Sequence, residues 1–167
     1  MSATVANVPV VFELSEVVRN RAIAEGHLDW IDGFPDIVRS LEHDWSIGVG
    51  RAYDEGTEAF VADAVLADGR PAVLKVLVPR RGGGIDDHEA TVLRLADGDG
   101  CPILYQDDRA RGALLMERLG PSMFALSIPY EQRLPALCDA AARIWRPAPD
   151  ESEIPTTAAK ATWLIEF

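Results

Sequence analysis

The chain has 167 residues, 48% hydrophobic and 26% charged, with a net charge of −11. That length fits one domain or one and a fraction, with enough apolar material for a core and too much for a disordered chain. The acidity argues against a nucleic-acid backbone as partner, because phosphates need lysine and arginine, and no apolar run nears the roughly 20 residues of a membrane span.

No basic stretch leading into an apolar run opens the chain, so no signal peptide is read. Cys101 and Cys138 lie outside any C-x-x-C pair. Zinc is therefore not expected, and both read as reduced, small apolar fillers of a cytosolic protein.

In chain order, "ELSEVVRNRAIAEG" predicts a helix with Ser15 as N-cap, an apolar stripe of Val17, Val18, Ala22 and Ile23, and Gly26 as its end. "FPDIVRSLEHDW" predicts a second, short helix with Pro35 in its first turn. From Trp45 to Val78 the pattern changes to strands, punctuated by "DEG" at Asp54–Gly56 and "ADG" at Ala67–Gly69. Strands near 45–53, 58–67 and 70–78 should form an antiparallel meander. "GGG" at Gly82–Gly84 is a break, followed by a helix over 86–97 that "DGDG" closes. Strands at 103–106 and 113–118 follow, joined by the polar loop "DDRARG". Three strands, one helix and two strands give an α+β arrangement: a five-stranded antiparallel sheet with one crossing helix.

Beyond Gly120 the character shifts. "YEQRLPALCDAAARIWR" places Leu134, Leu137, Cys138, Ala141, Ile144 and Trp145 at helical spacing. "RPAPDESEIP" reads as a proline-rich acidic linker, and "TTAAKATWLIEF" opens a further amphipathic helix with no cap at its end. A chain that stops inside an apolar pattern reads as the front part of a longer protein. The division expected is a helical N-terminal extension over 1–44, a lobe over 45–119, and a hinge, linker and incomplete second lobe over 120–167.

Lys75 stands inside the apolar run "RPAVLKVLV". Alternation along a strand puts Val73 and Lys75 on one face and Ala72, Leu74 and Val76 on the other. An ammonium among aliphatic residues is costly unless it meets an anion. Glu89 is the candidate: on its helix it shares a face with Val92, Leu93 and Ala96, and that face should pack on the sheet. A lysine aimed by a helix glutamate is how protein kinases hold nucleotide phosphates. Two plainer readings stay open: Lys75 on an edge strand, its ammonium reaching water, and Glu89 as the back-reaching member of a capping box with Asp86. "LLMERLG", Leu114–Gly120, ends a strand in an extended segment whose backbone can read an adenine edge, or is simply a strand end before a turn.

The runs "ADGRPAVLKV", "HEATVLRLADGDG" and "RGALLMERLG" together resemble the N-terminal lobe of the aminoglycoside phosphotransferases, and more narrowly the streptomycin 6-phosphotransferase and hydroxyurea-resistance kinase group. The resemblance implies a protein-kinase-like fold with ATP between two lobes. It implies Lys75 on the α- and β-phosphates, Glu89 as its partner, and Val73 lining the adenine pocket with Met116 at its rear. It implies the backbone of Glu117 and Leu119 as hinge contacts. The turn "YDEGT", Tyr53–Thr57, with Gly56 and Thr57, would lie over the phosphates. This turn departs from the protein-kinase G-x-G-x-x-G, and "GVG" at Gly48–Gly50 is expected within the first strand.

The resemblance also implies a His-x-Asp catalytic loop and a later aspartate for Mg²⁺. "HLD" at His27–Asp29 has the bare form, but it precedes the first strand, lacks the following asparagine and reads as surface. No catalytic residue is therefore assigned in this chain, and the Mg²⁺ ligands are expected in a further C-terminal lobe. The expected partners are a nucleotide, a small-molecule alcohol acceptor and that lobe. By itself the chain is expected to lack transferase activity, to bind nucleotide weakly, and to self-associate through the apolar faces of its last two helices. The alternatives are a kinase-like lobe acting as a non-catalytic nucleotide-binding or interaction module, and a kinase of the same fold with another sugar or amine acceptor.

Overall fold

The computed structural model describes residues 12–54, 56–80, 88–149 and 154–166. Helices α1 (Glu16–Glu25) and α2 (Leu28–Trp45) lead into strands β1 (Gly48–Ala52), β2 (Ala59–Val65) and β3 (Pro71–Leu77). Helix α3 (His88–Ala96), strands β4 (Leu104–Asp108) and β5 (Ala113–Glu117), and helices α4 (Tyr130–Ile144) and α5 (Thr157–Glu166) follow. The strands form one sheet in the order β1-β2-β3-β5-β4, with every neighbouring pair antiparallel. The α+β arrangement, the meander and the helix between the third and fourth strands are as expected. "GVG" lies within β1.

Ser15 caps α1, its hydroxyl accepting from the Val18 N–H at 3.3 Å, and Gly26 ends the helix at φ 83°. The expected stripe is corrected. Val18 and Ala22 are buried, but Val17 and Ile23 are about half exposed, at 53% and 48%. Val18 and Ala22 share one helical face, the i, i+3, i+4, i+7 set, with half-buried Glu25 and exposed Arg21.

The second helix is longer than expected. It begins at Leu28, so Pro35 lies in its interior, and it ends at Trp45, which was expected to open the first strand. Proline costs a helix one backbone hydrogen bond. Here Ile31, Phe34, Val38 and Leu41 are all buried along one side, and that burial carries the helix through Pro35. Gly48, not Trp45, is the first strand residue because Ser46, at φ 51°, turns the chain out of the helix.

The stripe of α2 covers one face of the sheet. Phe34, Val38 and Leu41 pack in a single core with Phe60, Leu74 and Leu115, and Phe34 meets the Phe60 ring edge-on at 4.8 Å between centroids. Two polar clamps hold α2 in place. The Glu42 carboxylate accepts from the Val49 N–H at 2.8 Å. The Arg111 guanidinium, in the β4–β5 turn, donates to the Ser40 hydroxyl at 2.9 Å and pairs with Asp44 and Asp108, each at 2.7 Å. Burial of Asp108 opposes its ionisation, but the Arg111 backbone N–H and guanidinium outweigh it and hold the carboxyl below its usual range.

The other face carries α3. Ala90, Leu93 and Ala96 are its buried residues, and Ala90 and Leu93 form a smaller core with Leu114 and Met116. The expectation that Val92 shares this face is corrected: Val92 is half-buried and points with Leu95 toward Ile144 and Trp145 at the end of α4. The "GGG" break and Asp86 lie outside the described residues, and the capping-box reading of Glu89 falls there too. Helix α4 buries none of its residues, and Leu134 and Leu137 are 53% and 55% exposed. Asp99 pairs with Arg143 and Arg146, joining α4 to the α3–β4 loop. Gly100 makes that approach possible: at φ +85° a Cβ there would lie 2.6 Å from the Ala140 carbonyl oxygen. Cys101 is half-buried beside the smaller core and Cys138 is exposed on α4, so the filler reading holds for Cys101 and fails for Cys138.

A candidate anion site beside Lys75 and Glu89

Strand β3 is the middle of the five, paired with β2 on one side and β5 on the other, so the edge-strand reading of Lys75 is excluded. In register Lys75 stands opposite Val61 and Leu114. All three point to the face away from α2, since Ala72, Leu74 and Val76 are fully buried on the other. The Lys75 ammonium donates to both oxygens of Glu89, at 2.8 and 2.6 Å. The two side chains are 23% and 39% exposed, so the pair is half-buried at the rim of a cavity. Such an ion pair contributes little to stability, about 0–1 kcal/mol, because water still reaches both charges. Its consequence is positional: an ammonium with one side fixed by a carboxylate keeps its remaining N–H for a ligand.

The cavity has a volume of about 550 Å³, within the usual range for small-molecule sites. Lys75, Glu89, Gly56 and Thr57 line it together, so four of the residues picked from the sequence meet in one place. Gly56 is there for a steric reason: a Cβ at this position would lie 2.5 Å from the Ala59 carbonyl oxygen. Sequence reasoning missed Arg21, Glu25, Arg80 and His88, which also line the cavity. Arg21 and Glu25 come from α1, and their signal was the i, i+3, i+4, i+7 stripe with Val18 and Ala22. It went unread because Val17 and Ile23 offered a more apolar alternative. "HLD" lies at the surface as read, with Leu28 60% exposed, and the His27 ring Nε2 lies 3.1 Å from the Arg80 carbonyl oxygen just past β3.

The other four picked residues lie apart from this cavity's lining, toward the opposite end of β3. Val73 faces Met116 across the β3–β5 pair, and both belong to the small core under α3. The Glu117 N–H donates to the Ile103 carbonyl at 2.8 Å and the Glu117 carboxylate accepts from the Ile103 N–H at 3.2 Å. That N–H is therefore taken by Ile103, just before β4. Leu119 is 60% exposed. Opposite Val73 on β2 stands Asp63, which accepts from the Tyr53 hydroxyl at 2.5 Å and pairs with Arg118 at 3.2 Å. The hydrogen bond to Asp63, with partial burial, raises the Tyr53 phenol above its ordinary value. Among the described residues no group of three or more His, Cys, Asp or Glu side chains is placed to hold a metal ion. No helix among them is long and apolar enough to cross a membrane.

Residues 52–163, which include Lys75, Glu89 and β5, match the model of the aminoglycoside/hydroxyurea antibiotic resistance kinases. The chain belongs to that family. It is 36% identical over 114 residues to a hydroxyurea phosphotransferase of Kitasatospora aureofaciens, covering 68% of this chain and 32% of that protein. It is 31% identical over 110 residues to a streptomycin 6-kinase of Streptomyces glaucescens, covering 65% of this chain and 34% of that protein. The chain thus spans about a third of the length of these curated relatives. Within the family match lie the Lys75–Glu89 pair and the glycine turn; α1, with Arg21 and Glu25, precedes it.

Proposed function

We propose that the chain is the nucleotide-binding part of an ATP-dependent small-molecule phosphotransferase, built like the N-terminal lobe of a protein kinase. In this reading residues 45–119 are the lobe, 1–44 a helical lead-in, and 120–167 the hinge, linker and beginning of a second lobe. The observation that carries it is the ion pair between Lys75, on the central strand, and Glu89, on the crossing helix, at the wall of a cavity shared with Gly56 and Thr57. The family match supports it.

The chemistry assigned to these residues is positioning and charge neutralisation. Glu89 holds the Lys75 ammonium toward the cavity, and Lys75 donates to oxygens of the α- and β-phosphates. Gly56 lets the β1–β2 turn close over them without a side chain in the way, and the Thr57 hydroxyl offers a further donor. Val73, Met116, the carbonyl of Glu117 and the backbone of Leu119 take the base at the other end of β3. In the transfer, the γ-phosphorus gains a bond to the acceptor oxygen as its bond to the ADP oxygen breaks, and the acceptor's hydroxyl proton passes to a base. No residue of this chain is assigned to the acceptor or to Mg²⁺.

The acceptor proposed is a hydroxyl of an aminoglycoside such as streptomycin. Hydroxyurea is the second reading, favoured by the greater identity to the hydroxyurea phosphotransferase. Titrating the chain with ATP, alongside Lys75→Met, tests the nucleotide site. Saturable binding that the substitution weakens by roughly tenfold, the effect of one charge-assisted contact, is expected. Binding equal in both proteins overturns the reading. A pure interaction module predicts no ATP binding at all, whereas a non-catalytic nucleotide-binding lobe would bind ATP as the enzyme does and is separated from it only by phosphoryl transfer.

A further inference from the structure

The cavity beside Lys75 is lined by three cations, Arg21, Lys75 and Arg80, and three carboxylates, Glu25, Glu58 and Glu89. Two of these charges come from α1. That helix turns an ion pair inward, in line with its only two buried residues, Val18 and Ala22. The Arg21 guanidinium meets the Glu25 carboxylate at 3.0 Å, and Glu25 is only 17% exposed while Arg21 is 42% exposed. Both residues of this pair line the cavity.

The helix is also fastened to the cavity's walls. Val18 and Ala22 pack with Ile31 and with Val78, just past β3. The Val18 methyl lies 3.9 Å from where a side chain at Gly56 would start, so α1 backs the glycine turn as well. With His27 tied to the Arg80 carbonyl, the segment 15–27 is held against both the turn and the exit of β3.

We propose that Arg21 is a further phosphate-binding residue of this site. It exchanges its bond to Glu25 for one to a phosphate oxygen of the nucleotide in the cavity that it lines with Lys75. The proposal rests on the reading of the cavity as a nucleotide site and adds to it a cation from outside the family-matched stretch. The physical logic is compensation. Lys75 offers its remaining N–H while still held by both oxygens of Glu89, and a polyanion gains more if a second cation can leave its internal partner; the more exposed Arg21 guanidinium, on a long flexible stem, is suited to that move.

The test uses the whole chain and three probes: ATP, inorganic tripolyphosphate and adenosine, with circular dichroism to confirm that each variant keeps its helix content. Arg21→Gln is expected to weaken ATP and tripolyphosphate alike, by about five- to tenfold, and to leave adenosine unchanged, as loss of one partly exposed charge-assisted bond should. Arg21→Lys should recover part of that loss. Glu25→Gln should tighten both phosphate ligands, with a smaller gain in the Arg21→Gln background, since the competition it relieves is then gone. If Lys75→Met weakens ATP while Arg21→Gln does not, the inference falls and the nucleotide site stands. If adenosine weakens in parallel with ATP in Arg21→Gln, Arg21 is only structural and the inference falls. If neither phosphate ligand binds the unsubstituted chain, both fall together.

Discussion

The two faces of β3 differ in what covers them. Ala72, Leu74 and Val76 are fully buried under α2, in a core with no polar side chain among its buried members. One residue along, Val73, Lys75 and Leu77 are half-buried on a face that is part small core and part cavity. The difference is one of closure. A long helix with four buried side chains seals the first face, while α3, three turns at most, leaves the second open at the end where Lys75, Gly56 and Arg21 meet. A strand buried on one side and open on the other can hold a charge at a fixed height above a rigid floor, which is what a binding site needs.

Breaking the closed face should cost the most. Leu74→Ala should remove about 2–5 kcal/mol of stability, seen as a lower midpoint in urea, while ATP affinity of the remaining folded protein stays unchanged. Gly56→Ala forces a Cβ to within 2.5 Å of the Ala59 carbonyl oxygen, so the turn must shift. It should cost about 1–3 kcal/mol and weaken phosphate ligands together with stability. Lys75→Met should show the reverse of Leu74→Ala: under about 1 kcal/mol in stability, because the pair is partly hydrated, but a loss of ATP binding by titration.

The smallest effect is expected away from both faces, at the clamp between α2 and the β4–β5 turn. The Asp108 carboxyl is held below its usual value, so its contribution is complete above the ordinary aspartate value of about 3.9 and is lost as the pH falls through the lowered one. Thermal unfolding of Asp108→Asn between pH 5 and 3 should therefore fall less steeply than that of the unsubstituted chain, by under about 1 kcal/mol in all. An equal acid slope in both proteins would show that the Arg111 clamp contributes nothing.

Much of this arrangement is legible in the residues. Asp-Gly between apolar runs at 68–69 marks a hairpin, and alternation along 72–76 separates the two faces of β3, because side chains on a strand must alternate. Glu89 followed by Leu93 at helical spacing points to the partner of Lys75. Other parts were not legible. Pro35 is a strong local signal for a helix start, yet it lies mid-helix because burial of Ile31, Phe34, Val38 and Leu41 outweighs one missing hydrogen bond. The apolar residues of α1 pointed to the wrong stripe, since Val17 and Ile23 are as hydrophobic as Val18 and only the neighbouring Val78 and Ile31 decide which is covered.

The amino-acid order alone thus gave the kinds of elements and their sequence along the chain, and nominated a carboxylate 14 residues away as partner for an ammonium, because those follow from local periodicity and from the cost of an uncompensated charge. Only the tertiary structure decided that α2 seals one face of the sheet, that the residues picked for one site divide between two ends of β3, and that α1 brings Arg21 to the end holding Lys75. Those depend on which surfaces meet across long stretches of chain, and no spacing within a single element encodes that.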